Sequence, residues 1–210
     1  MKLSVGIITF NEENRIGKTI DAIKGIADEI IVVDSESRDR TVEIAKFKGA
    51  KVFVEKWKGY GPQKNSVLEK CNGEWILLID ADEVISKQLK EKIKSIINDT
   101  AGKTSDIYKI KLRNICFGKE IKHGGWDDYV IRLWKRGKVK ISDREVHEQY
   151  MTDGHKVEKI NELIIKSPIF PSVLKNKIRF IFVGTKLIFF LLLSNMWLNI
   201  SFFLSTSLSL

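Results

Sequence analysis

The sequence predicts an α/β fold: a mostly parallel sheet flanked by helices, with a small antiparallel extension and an apolar C-terminal tail. Three observations predict it. Short continuous apolar runs alternate with helical spacing over the first hundred residues. Those runs end in polar or acidic residues rather than hairpin turns. The pattern then changes to alternating strands after about residue 100 and to an uncharged stretch near the end.

Leu3 to Thr9 is a β-branched run ending in a polar step, and Ile16, Ile20 and Ile23 then recur at helical spacing. Glu29 to Asp34 encloses Ile30-Ile31-Val32-Val33, the pattern of a strand buried on both faces. Thr41 to Lys48 reads as a short helix and Lys51 to Val54 as a third strand. Pro62 suits the first turn of a helix running to about Cys71. Trp75 to Ile79 is a fourth buried strand and ends at Asp80. Ser86 is placed to cap a helix that carries Leu89, Ile93, Ile96 and Ile97 on one face. Further on, Asp106 to Asn114 and Val130 to Trp134 read as strands, Gly137 sits in a turn, and Val139 to Ile141 is expected to pair back. The expected organisation is one domain over 1–165, with halves 1–100 and 101–165, followed by a segment 166–210. There are no internal repeats.

Composition narrows the function classes. Of 210 residues 43% are hydrophobic, which supplies a core and excludes disorder over most of the chain. Three prolines and 14 glycines exclude collagen-like and low-complexity architectures. Two cysteines, Cys71 and Cys116, do not make a disulfide framework or zinc cluster, and they suit a reduced compartment. Met1 to Phe10 shows no leader-peptide pattern. The net charge is +9; residues 1–100 hold 17 basic and 17 acidic side chains, so the whole excess falls in 101–210. That half is expected to face something anionic, such as a phosphorylated acceptor or an acidic membrane surface; a solvated basic face is the plainer alternative. Nucleic acid is disfavoured, because no basic stretch is interleaved with aromatics. Leu187 to Leu210 carries no charge and is long enough to cross a bilayer, with Lys175, Lys177 and Arg179 as a cytoplasmic flank. Its five serines, two asparagines and one threonine weigh against a span and leave interfacial contact or a buried helix as alternatives.

Ligands of parallel sheets bind beyond the carboxyl ends of the strands. There Thr9-Phe10-Asn11-Glu12, Asp34-Ser35-Glu36-Ser37 and Asp80-Ala81-Asp82-Glu83 would converge on one rim. In Asp80-Ala81-Asp82, strand alternation points two carboxylates the same way, and a magnesium or manganese ion would relieve their repulsion. A solvated loop is the bland reading of such a triplet. Asp34 either accepts hydrogen bonds from a base or ribose or caps the following turn. Thr9 to Glu12 either contacts a nucleotide or caps the helix after it. Lys64, in the first turn of a helix entered through Gly59-Tyr60-Gly61, is placed for a phosphate contact, although the segment does not match the P-loop pattern. Asp128, after Gly124-Gly125-Trp126-Asp127, and Glu148, after Val146-His147, are carboxylates able to act as a general base. His147 would orient one of them, or is an ordinary surface or core histidine like His123 and His155.

Taken in order, Thr9-Phe10-Asn11-Glu12, Asp34 to Thr41 and Ile79-Asp80-Ala81-Asp82-Glu83 resemble family 2 glycosyltransferases of the GT-A fold, which have a Rossmann-like sheet. His123-Gly124-Gly125-Trp126, Asp128-Tyr129, Arg132-Leu133-Trp134 and Val146-His147-Glu148 are similar to the β-1,4-glucosyltransferases of lipopolysaccharide core biosynthesis. The likeness covers residues 1 to about 160. It departs where Trp126 runs straight into Asp127-Asp128 without an aromatic-proline step, and it fades after about Ile165. The resemblance implies an inverting transfer of glucose from UDP-glucose to an anionic, lipid-linked inner-core acceptor at the cytoplasmic face of the inner membrane. It implies that Asp34 contacts the uridine, with Thr9, Asn11 and Glu12 lining that pocket. Asp82, helped by Asp80, would hold a divalent cation against the diphosphate, and Glu148, or else Asp128, would be the base. Two alternatives remain. A nucleotidyltransferase is disfavoured, because Asn11-Glu12-Glu13 stands where a glycine-rich basic loop would be needed. A relative with impaired catalysis is the other.

Overall fold

The computed structural model describes residues 1–99, 104–116, 119–120, 129–144, 148–166, 178–183, 186–193 and 196–201. The first half runs β1 (Leu3–Thr9), α1 (Ile16–Ile23), β2 (Glu29–Asp34), α2 (Thr41–Phe47), β3 (Lys51–Val54), α3 (Tyr60–Lys70), β4 (Trp75–Asp80), β5 (Glu83–Ile85) and α4 (Lys87–Ile97). Then follow β6 (Ile107–Cys116), β7 (Lys119–Glu120), β8 (Tyr129–Lys135), β9 (Lys140–Ile141), β10 (Tyr150–Met151) and β11 (Val157–Lys166). The chain divides into two compact units, 1–167 and 168–210. In the second, β12 (Ile178–Val183), β13 (Lys186–Leu193) and β14 (Met196–Ser201) pair antiparallel in sequence order. Among the described residues no helix is long and apolar enough to cross a membrane.

The main sheet has the order β3-β2-β1-β4-β8-β6-β11-β5, with β7 paired to β6. Strands β3, β2, β1 and β4 are parallel; β3 is the exposed edge, and the apolar runs of β2, β1 and β4 fill both faces. Leu3, Val5, Ile7, Ile30, Val32, Trp75, Leu77 and Ile79 pack with Ile16, Ile20, Ile23, Leu89 and Ile93 of α1 and α4. Ile8, Ile31, Val33, Ile76 and Leu78 pack on the other side with Val67 and Cys71 at α3. This two-sided burial is why these strands read as unbroken hydrophobic runs. Burial also pushes the Cys71 thiol up to about 12. Gly6 admits α3 to the sheet: a Cβ there would lie 2.3 Å from Val67 Cγ1. Ser86 caps α4 as expected, accepting a hydrogen bond from Leu89 N–H at 3.1 Å.

The antiparallel extension is present: β8 runs antiparallel to β4 and β6 and β9 to β10, while β11 adds a strand parallel to β6. Two details differ from the reading of the sequence. Lys140–Ile141 pairs with Tyr150–Met151 ahead of it instead of turning back on the preceding strand. The ten-residue β11 was not expected at all. Ile160 and Ile164 both enter the core, but Glu162 stands between them where a period of two calls for an apolar residue, and the register shifts between Ile160 and Leu163.

Helix α3 lies directly on the segment after β9. Gly61 N–H donates to Arg144 O at 3.1 Å, and Asn65 Nδ2 donates to Ile141 O at 3.0 Å. A Cβ on Gly61 would stand 2.1 Å from Ser142 O and 2.8 Å from Arg144 O, both backbone atoms. Gly61→Ala is therefore expected to destabilise the fold by ~1–3 kcal/mol, as overpacking does, measured as a lower midpoint in urea or thermal melts.

Candidate active site

The register of the parallel strands builds the site. Thr9 pairs with Asp34 and Ile8 with Asp80, so β1, β2 and β4 end on one edge. A cavity of about 660 Å³ opens beyond that edge, lined by Thr9, Glu12, Ser35, Trp57, Tyr60, Asp80, Asp82 and Lys166 among others.

The turn Asp80-Ala81-Asp82 is fixed from three sides. Thr19 of α1 donates its hydroxyl to Ala81 O at 2.7 Å. Glu83 Oε2 accepts from Asp80 N–H at 3.0 Å. Arg132 of β8 reaches up from the core, placing Nη2 2.6 Å from Glu83 Oε1 and 3.1 Å from Asp80 Oδ2. Arg132 and Glu83 are both buried. Burial pushes the Glu83 carboxyl up to about 7, with Arg132 opposing. Burial also acts to raise Asp80, but Arg132, Lys166 and Lys64 hold it well below the usual carboxylate range.

Two cations on longer reach complete the rim. Lys166, the last residue of β11, places Nζ 2.8 Å from Asp80 Oδ2 and 3.3 Å from Asp82 Oδ1. Arg15 bridges Asp82, at 3.3 Å, and Glu12, at 3.3 Å. Burial raises the Glu12 carboxyl, with Arg15 opposing. Asp80, the last residue of β4, and Asp82, in the turn after it, both reach one cationic point, and that point is held by an ammonium. Two convergent carboxylates suit a hard divalent ion that completes its shell with water and phosphate oxygens. Among the described residues no group of three or more His, Cys, Asp or Glu could hold a metal by itself.

The loops after β1 and β2 are stitched to each other. Asn11 has a positive φ of 53°; its N–H donates to Ser37 Oγ at 2.8 Å and its Oδ1 accepts from Arg38 N–H at 2.9 Å. Glu12 N–H donates to Thr41 Oγ1 at 2.7 Å. Asp34 is fully buried, and its two oxygens accept from Ser37 N–H at 2.8 Å and Ser37 Oγ at 2.5 Å. Asp34 therefore shapes the loop from within, and the groups that this loop turns to the cavity belong to Ser35. Thr9 Oγ1 and Ser35 Oγ are buried without a hydrogen-bond partner among the described residues. Such hydroxyls at a cavity wall mark a place for a polar ligand.

Lys64 and Glu148 lie apart from the lining. They form an ion pair with each other, and Lys64 Nζ also donates to Tyr150 OH at 3.2 Å. Burial acts to lower Lys64, but Asp80 and Tyr150 leave it raised. Asp128, His147, His123 and Gly124 to Asp127 lie outside the described residues.

The sequence gives no role to Trp57, Tyr60, Arg15 or Lys166, and it names Ser35 and Arg132 only within longer motifs, without a role of their own. Trp57 and Tyr60 meet edge to face at 4.9 Å and are half exposed at the cavity. No alternation points to Arg132: the register shifts as β8 passes from Leu133 to Ile131 against Tyr108 and Lys109, which leaves Arg132 as the extra residue of a bulge.

Comparison with known proteins agrees with this geometry. Residues 4–161 match the model of glycosyl transferase family 2. An uncharacterized glycosyltransferase of Rickettsia bellii is 50% identical over 111 residues, which is 53% of this chain and 38% of that protein. The lipopolysaccharide core biosynthesis glycosyltransferase LpsC of Rhizobium meliloti is 31% identical over 166 residues, 74% of this chain and 59% of that one. The crystal structure of S. aureus TarS 1–349 in complex with UDP superposes with a TM-score of 0.60 at 17% identity, over 80% of this chain and 61% of that one, a likeness of fold. The chain thus spans about two fifths of the length of the Rickettsia protein, the 38% given above.

The loop carrying Trp57 is anchored by Glu55, whose carboxylate meets Lys58 at 2.7 Å, Lys70 at 2.7 Å and Ser66 Oγ at 2.6 Å. These hydrogen bonds, from Lys58 first, lower the Glu55 carboxyl from 4.5 to about 2. A carboxyl depressed in the folded state stabilises above its unfolded value and loses that contribution as pH falls through its folded value. Glu55→Gln is expected to cost ~1–3 kcal/mol at pH 7 and to flatten the loss of stability between pH 4.5 and about 2, read from urea melts across that range.

Proposed function

Because the chain belongs to glycosyl transferase family 2, we propose that it transfers a sugar from a nucleotide-sugar donor to an acceptor hydroxyl, with inversion and with a divalent cation. The observation that carries this reading is the convergence of Asp80 and Asp82 on one cationic point at the wall of an open cavity. The nucleoside would lie across Thr9 and Ser35, with Phe10, Trp57 and Tyr60 offering aromatic surface. The diphosphate would lie at the Asp80 turn. Asp82 and Asp80 would hold magnesium or manganese there, which when bound neutralises charge on the departing diphosphate.

The chain's own residues do the rest. Arg132 and Glu83 keep the turn rigid, and Thr19 fixes its height against α1. The acceptor oxygen attacks the anomeric carbon from the side opposite the diphosphate. The new C–O bond forms as the old one breaks, and the acceptor proton passes to a carboxylate. We assign that carboxylate to Glu148, which pairs with Lys64 beside the cavity, the same ammonium donating to Tyr150 OH, with Asp128 as the other candidate. Glucose from UDP-glucose is the donor that the sequence resemblance favours. An inner-core lipopolysaccharide acceptor is favoured by the name of the Rhizobium relative and by the basic second half. Such an acceptor would bring the protein to the cytoplasmic face of the membrane, with the uncharged segment after Leu187 at its surface.

The test is isotope transfer from a panel of nucleotide sugars to purified core acceptor, with and without manganese or magnesium. Asp82→Ala is expected to abolish transfer, and excess chelator to do the same in the wild type. Full activity in either condition would remove the metal from the mechanism. Glu148→Gln is expected to lower turnover by ~10²–10⁴-fold, as loss of a general base does, while donor affinity stays within about twofold. If Asp128→Asn has that effect instead, Asp128 is the base.

A further inference from the structure

Lys166 is unlike the other cations at the rim. Arg132 is buried beneath the turn and held by Glu83, so it is a fixed part of the floor. Lys166 has a quarter of its side chain exposed and lines the cavity itself. Its backbone is pinned between two strands, opposite Asn114 of β6 and Glu83 of β5. Its four-carbon arm is free to turn about that anchor. The ammonium sits 2.8 Å from Asp80, 3.3 Å from Asp82 and 3.7 Å from Glu83, the position a divalent ion between Asp80 and Asp82 would need.

A dication and this ammonium cannot share those oxygens without strong repulsion. A nucleoside diphosphate changes the balance. Its oxygens would arrive in the same cavity, within reach of a lysine arm that is leaving the carboxylates.

We propose that Lys166 is a tethered cation that occupies the Asp80–Asp82 pair in the resting protein and surrenders it to a divalent metal when a nucleoside diphosphate arrives to receive the ammonium. The inference rests on the metal reading above and adds to it: metal and nucleotide share the diphosphate oxygens, and displacement of Lys166 adds to the coupling those shared oxygens give. Because binding coupling is reciprocal, each ligand tightens the other by the same factor.

The experiment measures Mn²⁺ binding to the full 210-residue chain, by the electron paramagnetic resonance signal of free Mn²⁺, with and without UDP. In the wild type, UDP is expected to tighten Mn²⁺ at least tenfold. Lys166→Met is expected to bind Mn²⁺ alone at least tenfold more tightly than the wild type, and UDP to tighten Mn²⁺ by a clearly smaller factor than in the wild type, the remainder being what the diphosphate oxygens contribute as metal ligands. Lys166→Arg is expected to keep the wild-type coupling. Lys166→Gln, whose amide can still donate to Asp80, repeats the test should Lys166→Met melt early. If the uncharged variants bind Mn²⁺ no more tightly than the wild type while Asp82→Asn abolishes binding, the metal reading stands and the role of Lys166 is overturned. If no protein binds Mn²⁺ in either condition, the metal reading falls and this proposal falls with it.

Discussion

Carboxylates gathered at the carboxyl edge of a sheet repel one another, and burial makes the repulsion worse. Here the contact between Arg132 and Glu83, 2.6 Å long and shut off from solvent, answers that constraint. A buried pair of this kind is weak evidence for stability, but losing one partner leaves an uncompensated charge in the core. Asp80 rests on Arg132 from above, Lys166 rests on Asp80, and Asp82 is shared between Lys166 and Arg15. The cavity wall is therefore a stack of alternating charges with its lowest layer fixed in the core and its upper layer exposed.

The same constraint explains how α1, β8 and β11, far apart in the chain, serve one turn. Thr19 comes from helix α1, Arg132 from β8, which neighbours β4 in the sheet, and β11 enters through its pairing with β5. The match to glycosyl transferase family 2 ends at residue 161, before the end of β11. Lys166 therefore lies beyond the segment that identifies the family, yet it touches both carboxylates of the motif.

Much of the first half was legible in sequence because its strands are buried on both faces and carry little but apolar residues. The ends of β1, β2 and β4 follow from that pattern, and the cap at Ser86 from the residue type before an amphipathic run. The partners of those carboxylates were not legible. Arg15, Arg132 and Lys166 are three among 36 basic residues, and a charge that neutralises a site is spelled like one that faces water. Asp34 is a subtler case: its position at a strand end was right, but only the fold reveals that Ser37 takes both its oxygens. The aromatic pair Trp57 and Tyr60 sits in a loop, where no periodicity points to a function.

The irregularity in β11 carries a consequence of its own. Ile160 pairs with Ile110 and Leu163 with Lys111, so Asn161 and Glu162 take up chain without advancing along the neighbouring strand. Drawn straight, those two residues would carry Lys166 about 7 Å past Asn114, at roughly 3.3 Å per residue. The slack between Ile160 and Leu163 thus decouples chain length from the reach of the terminal lysine. Kindred chains are free to lose this pair of residues and still present an amine at the same spot.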